Sequence, residues 1–331
     1  MKPTVSNLID AMLKGDELSL SKLVSLLEQE SEHAPEIIKA IYPHTGKSYR
    51  LGITGMPGAG KSTMVDQLVS IIRQNGLSAG VICADPSSPF TGGAILGDRI
   101  RMKRHFLDDR VFIRSMAARN SPGGLPRTTS DVIKLLDAYG KDIILIETVG
   151  AGQSDLDIMK SADTVVVVLV PEAGDTIQVI KAGLMEIADI FVVNKADHTG
   201  VEAMAEDIAS FTRRKNQAPY EIPVLTTIAT DNIGIDRLYE QIEKHRQFLL
   251  QSGQLNERRQ QQWREEFEQL LESKVMGSVK DFVEKDAAVL DYLSQIDRGT
   301  IDPHAAMEGL INNRFMDAWL RKLSGSNNSN M

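Results

Sequence analysis

The sequence has 331 residues, of which 42% are hydrophobic and 25% charged, as expected of a globular protein large enough to bury a substantial core. A formal net charge of -8 excludes a strongly basic surface, so we expect no binding to nucleic acid or to anionic membranes. No apolar run approaches the roughly 20 residues of a membrane span, and the first residues lack the apolar core of a signal peptide, which predicts a cytoplasmic protein. The single cysteine, Cys83, cannot form an internal disulfide, and six scattered histidines argue against a zinc site.

The N-terminal segment reads as short amphipathic helices. Between residues 4 and 42, apolar side chains such as Leu8, Ile9 and Met12 recur at helical spacing. The stretch YPHTGKSY then breaks the pattern. We therefore predict an N-terminal helical extension over residues 1–46.

Residues 47–250 have the pattern of an α/β domain with a mostly parallel central sheet flanked by helices. Seven short runs rich in Val and Ile alternate with helical segments: RLGIT, AGVICAD, VFIRSM, DIILIET, TVVVVLV, DIFVVNK and PVLTT. Their apolar character is continuous, not alternating, which indicates strands buried on both faces. Such strands require helices on each side of the sheet.

Residues 251–331 contain no further strand candidate. The segment NERRQQQWREEFEQLLESKVMGSVKDFVEKDAAVLDYLSQI is charged, helical and heptad-like in places, and one of its faces is too polar to form a core. We predict a C-terminal helical arm, whose last residues, GSNNSNM, have a disordered composition.

The stretch GITGMPGAGKST, residues 52–63, contains the complete G-x-x-x-x-G-K-[ST] phosphate-binding pattern between a predicted strand and a predicted helix. Glycines allow backbone N–H groups to surround phosphates, and the helix directs its positive end at the same anion. Lys61 would reach the β- and γ-phosphates, and Ser62 would bind Mg²⁺ through its hydroxyl. The predicted phosphate-loop residues are Gly55, Met56, Pro57, Gly58, Ala59, Gly60, Lys61, Ser62 and Thr63.

The stretch IFVVNKAD ends a later strand in Asn194, Lys195 and Asp197. The Asp197 carboxylate can accept hydrogen bonds from both the ring N–H and the exocyclic amine of guanine, whereas adenine would leave these acceptors unpaired. Asn194 can meet the other edge of the base, and the stem of Lys195 can lie on its plane. Alone the motif is also a plausible polar turn, but with the phosphate loop it favours GTP over ATP.

A second carboxylate, Glu147, ends the strand of DIILIETVGAGQS and is separated from Gly150 by two residues, Thr148 and Val149. It could hold magnesium directly or through water, or orient an attacking water. Gln153 is not adjacent to the glycine and receives no role.

Two loops carry weaker signals. DPSSPFTGGAILGDRIRMKRHF, which begins at Asp85, is rich in small residues and suits a switch that orders around the γ-phosphate and Mg²⁺, with Asp85 and Asp98 as candidate metal contacts. From their spacing alone, the arginines of this stretch are expected to lie on a solvent-exposed face and not at the site. In PEAGDTIQVIKAG, residues 171–183, Asp175 by itself is only a helix cap.

Five stretches, taken in order, resemble the methylmalonyl-CoA mutase-associated GTPases, the MeaB family, also known as ArgK or LAO-transport kinases. They are GMPGAGKST, ADPSSPFTGGAILGDRIRM, ETVGAGQSD, EAGDTIQVIKAGLMEIAD and VVNKAD. The resemblance is close over residues 45–250 and extends to the layout of both helical ends. It implies a P-loop NTPase fold of the SIMIBI class.

The resemblance also implies a function. It predicts a homodimer held by the C-terminal arm, and slow Mg²⁺-dependent GTP hydrolysis that a partner accelerates. The partner would be an adenosylcobalamin-dependent acyl-CoA mutase, with methylmalonyl-CoA mutase the first candidate, whose cofactor loading the GTPase gates and which it protects from inactivation. The loop at 171–183 becomes a third switch facing the mutase, with Gln178 and Lys181 as contacts.

The implied site residues follow from the same motifs. Lys61, Asp98 and Glu147 would be catalytic, and Ser62, Asp85, Asp98 and Glu147 would surround the metal. A backbone amide within Ile228, Ala229 and Thr230 would contact guanine O6. Where the family has Ser-Ala-Leu at these positions, this sequence lacks the serine hydroxyl that fixes the loop, so guanine affinity is expected to be weaker.

Three other functions stay open at this point. A kinase could use the same phosphate loop, although no acceptor-substrate constellation is visible. A nickel-type metallocentre-insertion GTPase would need a Cys/His cluster, which the sequence lacks. A dimeric scaffold could bind GTP without hydrolysing it, against which Lys61, Ser62 and Glu147 argue.

Overall fold

The central element of the fold is a parallel β-sheet of seven strands. The computed structural model describes residues 4–85, 102–117, 125–150, 153–171, 183–215 and 220–312. The strands are β1 (Tyr49–Gly55), β2 (Ala79–Asp85), β3 (Val111–Ala117), β4 (Ile143–Glu147), β5 (Thr164–Leu169), β6 (Ile190–Asn194) and β7 (Val224–Thr227), in the order β3-β2-β4-β1-β5-β6-β7. Each strand corresponds to one of the seven predicted apolar runs, so the α/β prediction is confirmed.

Helices cover both faces of this sheet, and further helices follow them in the sequence. They are α1 (Val5–Leu13), α2 (Glu17–Glu28), α3 (Ala34–Ile41), α4 (Lys61–Gln74), α5 (Thr129–Tyr139), α6 (Leu184–Ile187), α7 (Val201–Lys215), α8 (Ile235–Ser252), α9 (Gln254–Lys285), α10 (Ala287–Asp297) and α11 (Pro303–Asn312). The first two begin where the sequence supplies a cap: Thr4 accepts from the amide of Asn7 at 3.3 Å, and Asp16 from that of Ser19 at 2.9 Å. The short N-terminal helices are therefore as predicted.

Both faces of the sheet are buried, which explains the continuous apolar character of its strands. Ile144 and Ile146 of β4 face a core that also contains side chains of α1, α2, α3 and α5. Their neighbours Ile143 and Leu145 face the opposite core, which is filled by α4 and α8. Because successive side chains of a strand point to opposite faces, a strand covered on both sides needs apolar residues at every position.

The strand order places the carboxyl ends of β1 and β4 side by side. From β1 the chain crosses to β2 and β3 on one side of the sheet, and from β4 it crosses past β1 to β5 on the other. In register, Ile53 of β1 lies beside Glu147, the last residue of β4. Ligands of open α/β sheets bind at the carboxyl ends of strands where connections diverge in this way. The fold therefore puts the phosphate-loop strand and the predicted second carboxylate side by side.

The amino ends of the strands carry a buried ionic cluster. Asp163, which directly precedes β5, has a side chain with no solvent exposure and pairs with two arginines. Arg259 donates to both of its carboxylate oxygens, at 2.9 and 2.7 Å, and Arg50 donates from its guanidinium and from its backbone amide. Asp189, which precedes β6, accepts from Arg258 in the same way, at 2.8 and 3.0 Å.

The pKa of the Asp163 carboxyl reflects this cluster. Burial opposes its ionisation, but the hydrogen bonds and positive charges of Arg259 and Arg50 outweigh burial and hold the pKa below the usual value. Asp163 is therefore an ionised carboxylate whose partners are fixed in place by the fold.

The chain divides into two compact units, Met1–Arg259 and Gln260–Met331. Within the second unit, α10 and α11 pack together, and Phe282, Val289 and Ala306 are buried. Large apolar side chains are also exposed in this unit, among them Trp263, Phe267, Leu270 and Leu271. Among the described residues, no helix combines the length and apolar character required to cross a membrane.

Candidate functional site

The predicted phosphate loop connects β1 to α4 and ends in a glycine that the site requires. Gly60 has a φ of 89°, and a Cβ added to it would lie 2.3 Å from Nδ2 of Asn194. A larger residue would therefore be strained and would collide with the neighbouring strand end. α4 begins at Lys61, so its first amides, which lack partners inside the helix, face the loop. This is the usual arrangement of an anion site at a helix N-terminus.

Lys61 is buried at the centre of the loop. Its Nζ donates to the carbonyl oxygens of Gly55 at 2.8 Å, Met56 at 3.1 Å and Val149 at 3.3 Å. The first two belong to the phosphate loop, and the third follows β4, so one ammonium group connects both segments. The fold thus holds a fixed positive charge where the sequence predicts the β- and γ-phosphates.

Ser62 and Glu147 form a buried pair beside Lys61. The Ser62 hydroxyl donates to Oε1 of Glu147 at 2.6 Å, across 85 residues of sequence. The other carboxylate oxygen accepts from the thiol of Cys83 at 3.7 Å, a long contact to a weak donor. Hydroxyl and carboxylate oxygens are the ligands that Mg²⁺ prefers. Two of the four residues that the sequence assigned to magnesium, Ser62 and Glu147, are therefore adjacent and suit such an ion.

Asn194 joins the phosphate loop to the end of the sheet. Its Nδ2 donates to the carbonyl of Ala59 at 2.8 Å, while its Oδ1 accepts from the Thr227 hydroxyl at 3.0 Å and from the Ala229 amide at 3.1 Å. Both ends of the amide are engaged with protein. Asn194 therefore fixes the spacing between the phosphate loop and the two segments that the sequence assigns to the base.

Lys195 and Asp197 turn away from the sheet after β6. Lys195 has a φ of 59°, and the amide of Ala196 donates to the Thr227 carbonyl at 3.0 Å, which anchors the turn to the end of β7. The Asp197 side chain is 56% exposed and lies 3.6 Å from Nε2 of His198. An exposed carboxylate held by an anchored turn is accessible to a ligand at this edge.

The third predicted base segment forms a short 3₁₀ helix, Ala229–Asp231. The amide of Ile228 donates to the Ile233 carbonyl at 3.0 Å, and that of Ala229 to Asn194. Within the described ranges, Thr230 is the one residue of the three whose amide has no protein acceptor.

Several predicted residues lie outside the described part of the chain. These are Asp98, Asp175, Gln178 and Lys181, together with the side chain of Asp85 and the terminal GSNNSNM. Within the part that is described, no group of three or more His, Cys, Asp or Glu side chains is placed to hold a metal ion.

Three side chains that contact the site were not identified from the sequence. Thr227 and Cys83 bond to Asn194 and Glu147, and Gln67 of α4 donates to the Ala229 carbonyl at 3.3 Å. Thr227 and Cys83 belong to predicted strands, and their pairing with the site follows from strand order, which the motifs do not give. No sequence signal distinguishes Gln67 from the other polar residues of α4.

Gly150→Ala is expected to disrupt this site. Gly150 has a φ of 85°, and an added Cβ would lie 2.2 Å from the Gly55 carbonyl oxygen and 2.5 Å from Nζ of Lys61. We expect a loss of about 2 to 5 kcal/mol in the free energy of unfolding, from backbone strain plus overpacking, and at least a tenfold loss of GTP affinity, measured by denaturation and calorimetry.

Gly140→Ala is the matched control for this substitution. Gly140 has a φ of 97° but open space around its Cβ position, so only the strain of about 1 to 2 kcal/mol applies, and GTP affinity stays unchanged. Equal effects of the two substitutions would show that Gly150 does not make the close approach described.

The sequence matches one family model and several known proteins. The family model described as methylmalonyl Co-A mutase-associated GTPase MeaB matches residues 20–284. A candidate GTPase of Pyrococcus abyssi is 49% identical over 313 residues, covering 93% of this chain and 96% of its own length. The GTPase ArgK of Escherichia coli is 33% identical over 317 residues, covering 93% and 96%.

A solved structure gives the same assignment for the fold. The crystal structure of an LAO/AO transport system kinase has a TM-score of 0.69 and 27% sequence identity, and the match covers 94% of this chain and 98% of that chain. The family model covers well over half of the sequence, and the relatives match along nearly their whole length. The resemblance inferred from the motifs is confirmed. The chain therefore belongs to the MeaB family of methylmalonyl-CoA mutase-associated GTPases.

Proposed function

We propose that this protein binds GTP with Mg²⁺, hydrolyses it, and acts as a chaperone of an adenosylcobalamin-dependent acyl-CoA mutase, gating cofactor loading and protecting the mutase from inactivation. The observation that carries the nucleotide part is the convergence of three motifs at one sheet edge. Lys61, the Ser62–Glu147 pair and Asn194 are connected through the phosphate loop by hydrogen bonds of 2.6 to 3.3 Å.

The residues around the loop have complementary tasks in phosphoryl transfer. Lys61 and the first amides of α4 neutralise the phosphates and hold them in line for attack. Ser62 and Glu147, joined in our proposal by Asp85 and Asp98, hold Mg²⁺ or orient the attacking water. The ion, when bound, stabilises negative charge that develops on the phosphate oxygens. Transition-state charge is thus met by groups that the fold fixes beforehand.

Base selection is assigned to the other end of the site. The exposed Asp197 carboxylate accepts from the ring N–H and the exocyclic amine of guanine, and an amide in the 228–230 segment donates to O6. The aliphatic stem of Lys195 covers the base plane. Asn194 keeps both segments at a set distance from the phosphate loop through its bonds to Ala59 and Ala229.

Asp197→Asn is expected to shift base preference away from guanine. The new amide presents an N–H where guanine also donates, so GTP affinity should fall roughly 10- to 100-fold, as for loss of a charged hydrogen bond. Xanthosine triphosphate, which carries a carbonyl in place of the exocyclic amine, should lose less affinity or gain. Competition binding of the two nucleotides measures the shift.

The exposed Asp207 of α7 provides the control for this experiment. Asp207→Asn removes one negative charge from the same domain and should leave both affinities unchanged. If Asp197→Asn also leaves the preference unchanged, Asn194-Lys195-Ala196-Asp197 is only a turn.

The partner and assembly rest on different support. The matched family is described by its association with methylmalonyl-CoA mutase, and we place the mutase contact at loop 171–183, with Gln178 and Lys181 as contacts.

We assign homodimer formation to the C-terminal arm because large apolar side chains, including Phe267 and Leu270, are 65% and 64% exposed there. Sedimentation velocity of the full chain checks the dimer, and we expect the complex to form in the cytoplasm.

Phosphate release from GTP and from ATP, each with and without a purified cobalamin-dependent mutase, tests the proposal. We expect slow release from GTP that the mutase accelerates, and little release from ATP. GTP hydrolysis that no mutase changes would leave the GTPase intact but remove the partner assignment. Nucleotide occupancy without any phosphate release, even with mutase, would instead indicate a GTP-binding scaffold.

A kinase is the second candidate, favoured by the LAO/AO transport system kinase structure that this chain matches. The same assay with labelled GTP distinguishes it, since a kinase transfers label to an acceptor other than water. Lack of label on protein or small molecules, with free phosphate released, would exclude it.

A further inference from the structure

The peptide group between Ala229 and Thr230 is held from the phosphate-loop helix. Gln67 lies on α4, six residues after Lys61, and its Nε2 donates to the Ala229 carbonyl at 3.3 Å. The amide on the other side of Ala229 is already held by Oδ1 of Asn194 at 3.1 Å. Ala229 is thus bound through both of its backbone groups: its carbonyl accepts from Gln67 of α4 and, at 3.4 Å, from the amide of Asn232, and its amide donates to the end of β6.

A second contact fixes which end of the Gln67 side chain faces Ala229. Its Oε1 accepts from Nη2 of Arg104 at 3.0 Å. Arg104 also pairs with the Asp66 carboxylate, at 2.7 Å from Nη2 and 3.1 Å from Nε. Because a guanidinium only donates, it selects the oxygen of the Gln67 amide and leaves the NH₂ group for Ala229. Arg104 therefore sets the orientation of Gln67.

The bond to the Ala229 carbonyl also determines the direction of the next N–H. In a trans peptide the C=O and the N–H that follows point in opposite directions. When Gln67 draws the Ala229 carbonyl toward α4, the amide of Thr230 is turned away from α4. This is the amide of the 228–230 segment for which the described structure gives no protein acceptor, whereas the amides of Ile228 and Ala229 are engaged.

We propose that Gln67 is a positioning residue for guanine recognition, oriented by Arg104, which presents the Thr230 amide to the O6 carbonyl of the base. The proposal rests on the guanine-nucleotide function proposed above and names the group that reads O6. Gln67 does not touch the nucleotide in this scheme. It acts through the Ala229–Thr230 peptide group. In this way it fixes the loop from outside, because Ile228 supplies no polar side chain that could fix the loop from within.

Gln67→Met tests this inference because methionine keeps the length of the side chain but not the donor. Affinities for GTP, ITP and ATP are measured by competition, with ATP at millimolar concentrations. GTP and ITP both carry O6 and differ in the exocyclic amine, so both should weaken by the same factor, about 3- to 10-fold for one hydrogen bond. ATP has no O6 and should bind unchanged.

Two further variants separate positioning from a general loss of structure. Gln74→Met makes the same change at an exposed position of α4 and should leave all three affinities unaltered. Arg104→Met keeps Gln67 but frees its amide to rotate, so GTP and ITP should weaken together by a smaller factor. Unchanged GTP affinity in Arg104→Met would remove Arg104 from the scheme.

The outcomes distinguish this inference from the proposed function. Equal weakening of all three nucleotides by Gln67→Met would place its effect on the phosphate loop and overturn the inference, as would unchanged GTP affinity. A changed ratio of GTP to ITP affinity would place the effect at Asp197 and also overturn it. If the unmodified protein does not prefer GTP to ATP, the proposed function itself fails, whatever the variant does.

Discussion

Replacing Lys61 with alanine will reduce GTP hydrolysis by about 10²- to 10³-fold, the range for loss of a fixed donor to developing charge. The substitution removes the buried ammonium that lies among three carbonyl oxygens, at 2.8 to 3.3 Å, in the centre of the phosphate loop. These partial negative charges hold Nζ in place but satisfy it less well than a phosphate would. GTP binding will weaken as well, because the ammonium interacts with the ground state too.

The rate and the affinity are measured by single-turnover hydrolysis and by equilibrium binding of GTP. Lys61 also connects the phosphate loop to Val149 after β4, so thermal unfolding of the variant is recorded alongside. Lys39→Ala, at an exposed position of α3, is the control and should change neither hydrolysis nor binding. Hydrolysis by Lys61→Ala within a few-fold of the unmodified rate would refute the assignment of this loop to phosphate.

The sheet was predictable because its strands carry their burial in the sequence. All five residues of β4 and all six of β5 are buried, and apart from Glu147 at the end of β4 and Thr164 at the start of β5 every residue in both strands is apolar. Continuous burial requires helices on both faces, and parallel pairing follows from that requirement. Strand order was not predictable in the same way, since periodicity says which face a side chain occupies but not which strand lies beside it.

For the site, too, contacts local in the sequence were predictable and contacts that depend on strand order were not. The phosphate loop and Lys61 belong to one continuous stretch of sequence, so the motif alone predicted that they lie together. The contact between Ser62 and Glu147 spans 85 residues and exists because β1 and β4 are neighbours, a fact of topology. The role of Asn194 is also wider than the motif suggested: its amide holds Ala59 and Ala229, and its contact with the base stays a prediction.

Long-range polar contacts were the part that sequence reasoning missed. Gln67 is an ordinary polar residue of an amphipathic helix, and only the fold brings it to Ala229. Asp163 and Asp189 did leave a signal that was not used. Each is the Asp of an Ala-Asp pair that directly precedes a buried apolar strand, in SADTVVVVL and IADIFVVN. A carboxylate that directly precedes each of two buried strands indicates that positively charged side chains lie at that edge of the sheet.

Asp163→Asn is expected to lower the free energy of unfolding by about 3 to 5 kcal/mol at pH 7, the range for breaking a buried ion pair by removing one partner. Asparagine has the same shape, so little packing is lost. Arg50 and Arg259, whose side chains are only 14% and 12% exposed, would keep their charges and lose the carboxylate between them. Denaturant unfolding followed by circular dichroism measures the difference.

The dependence of this loss on pH identifies its cause. Because the folded-state pKa of Asp163 lies below the ordinary value of 3.8, its contribution is fully present above that value and disappears as pH falls through the lowered pKa. The difference between Asp163→Asn and the unmodified protein should therefore shrink in that acid range. Asp157→Asn removes an exposed partner of Lys160 and should cost less than about 0.5 kcal/mol at any pH. A loss at Asp163 as small as that of Asp157→Asn would mean that the cluster does not stabilise the fold.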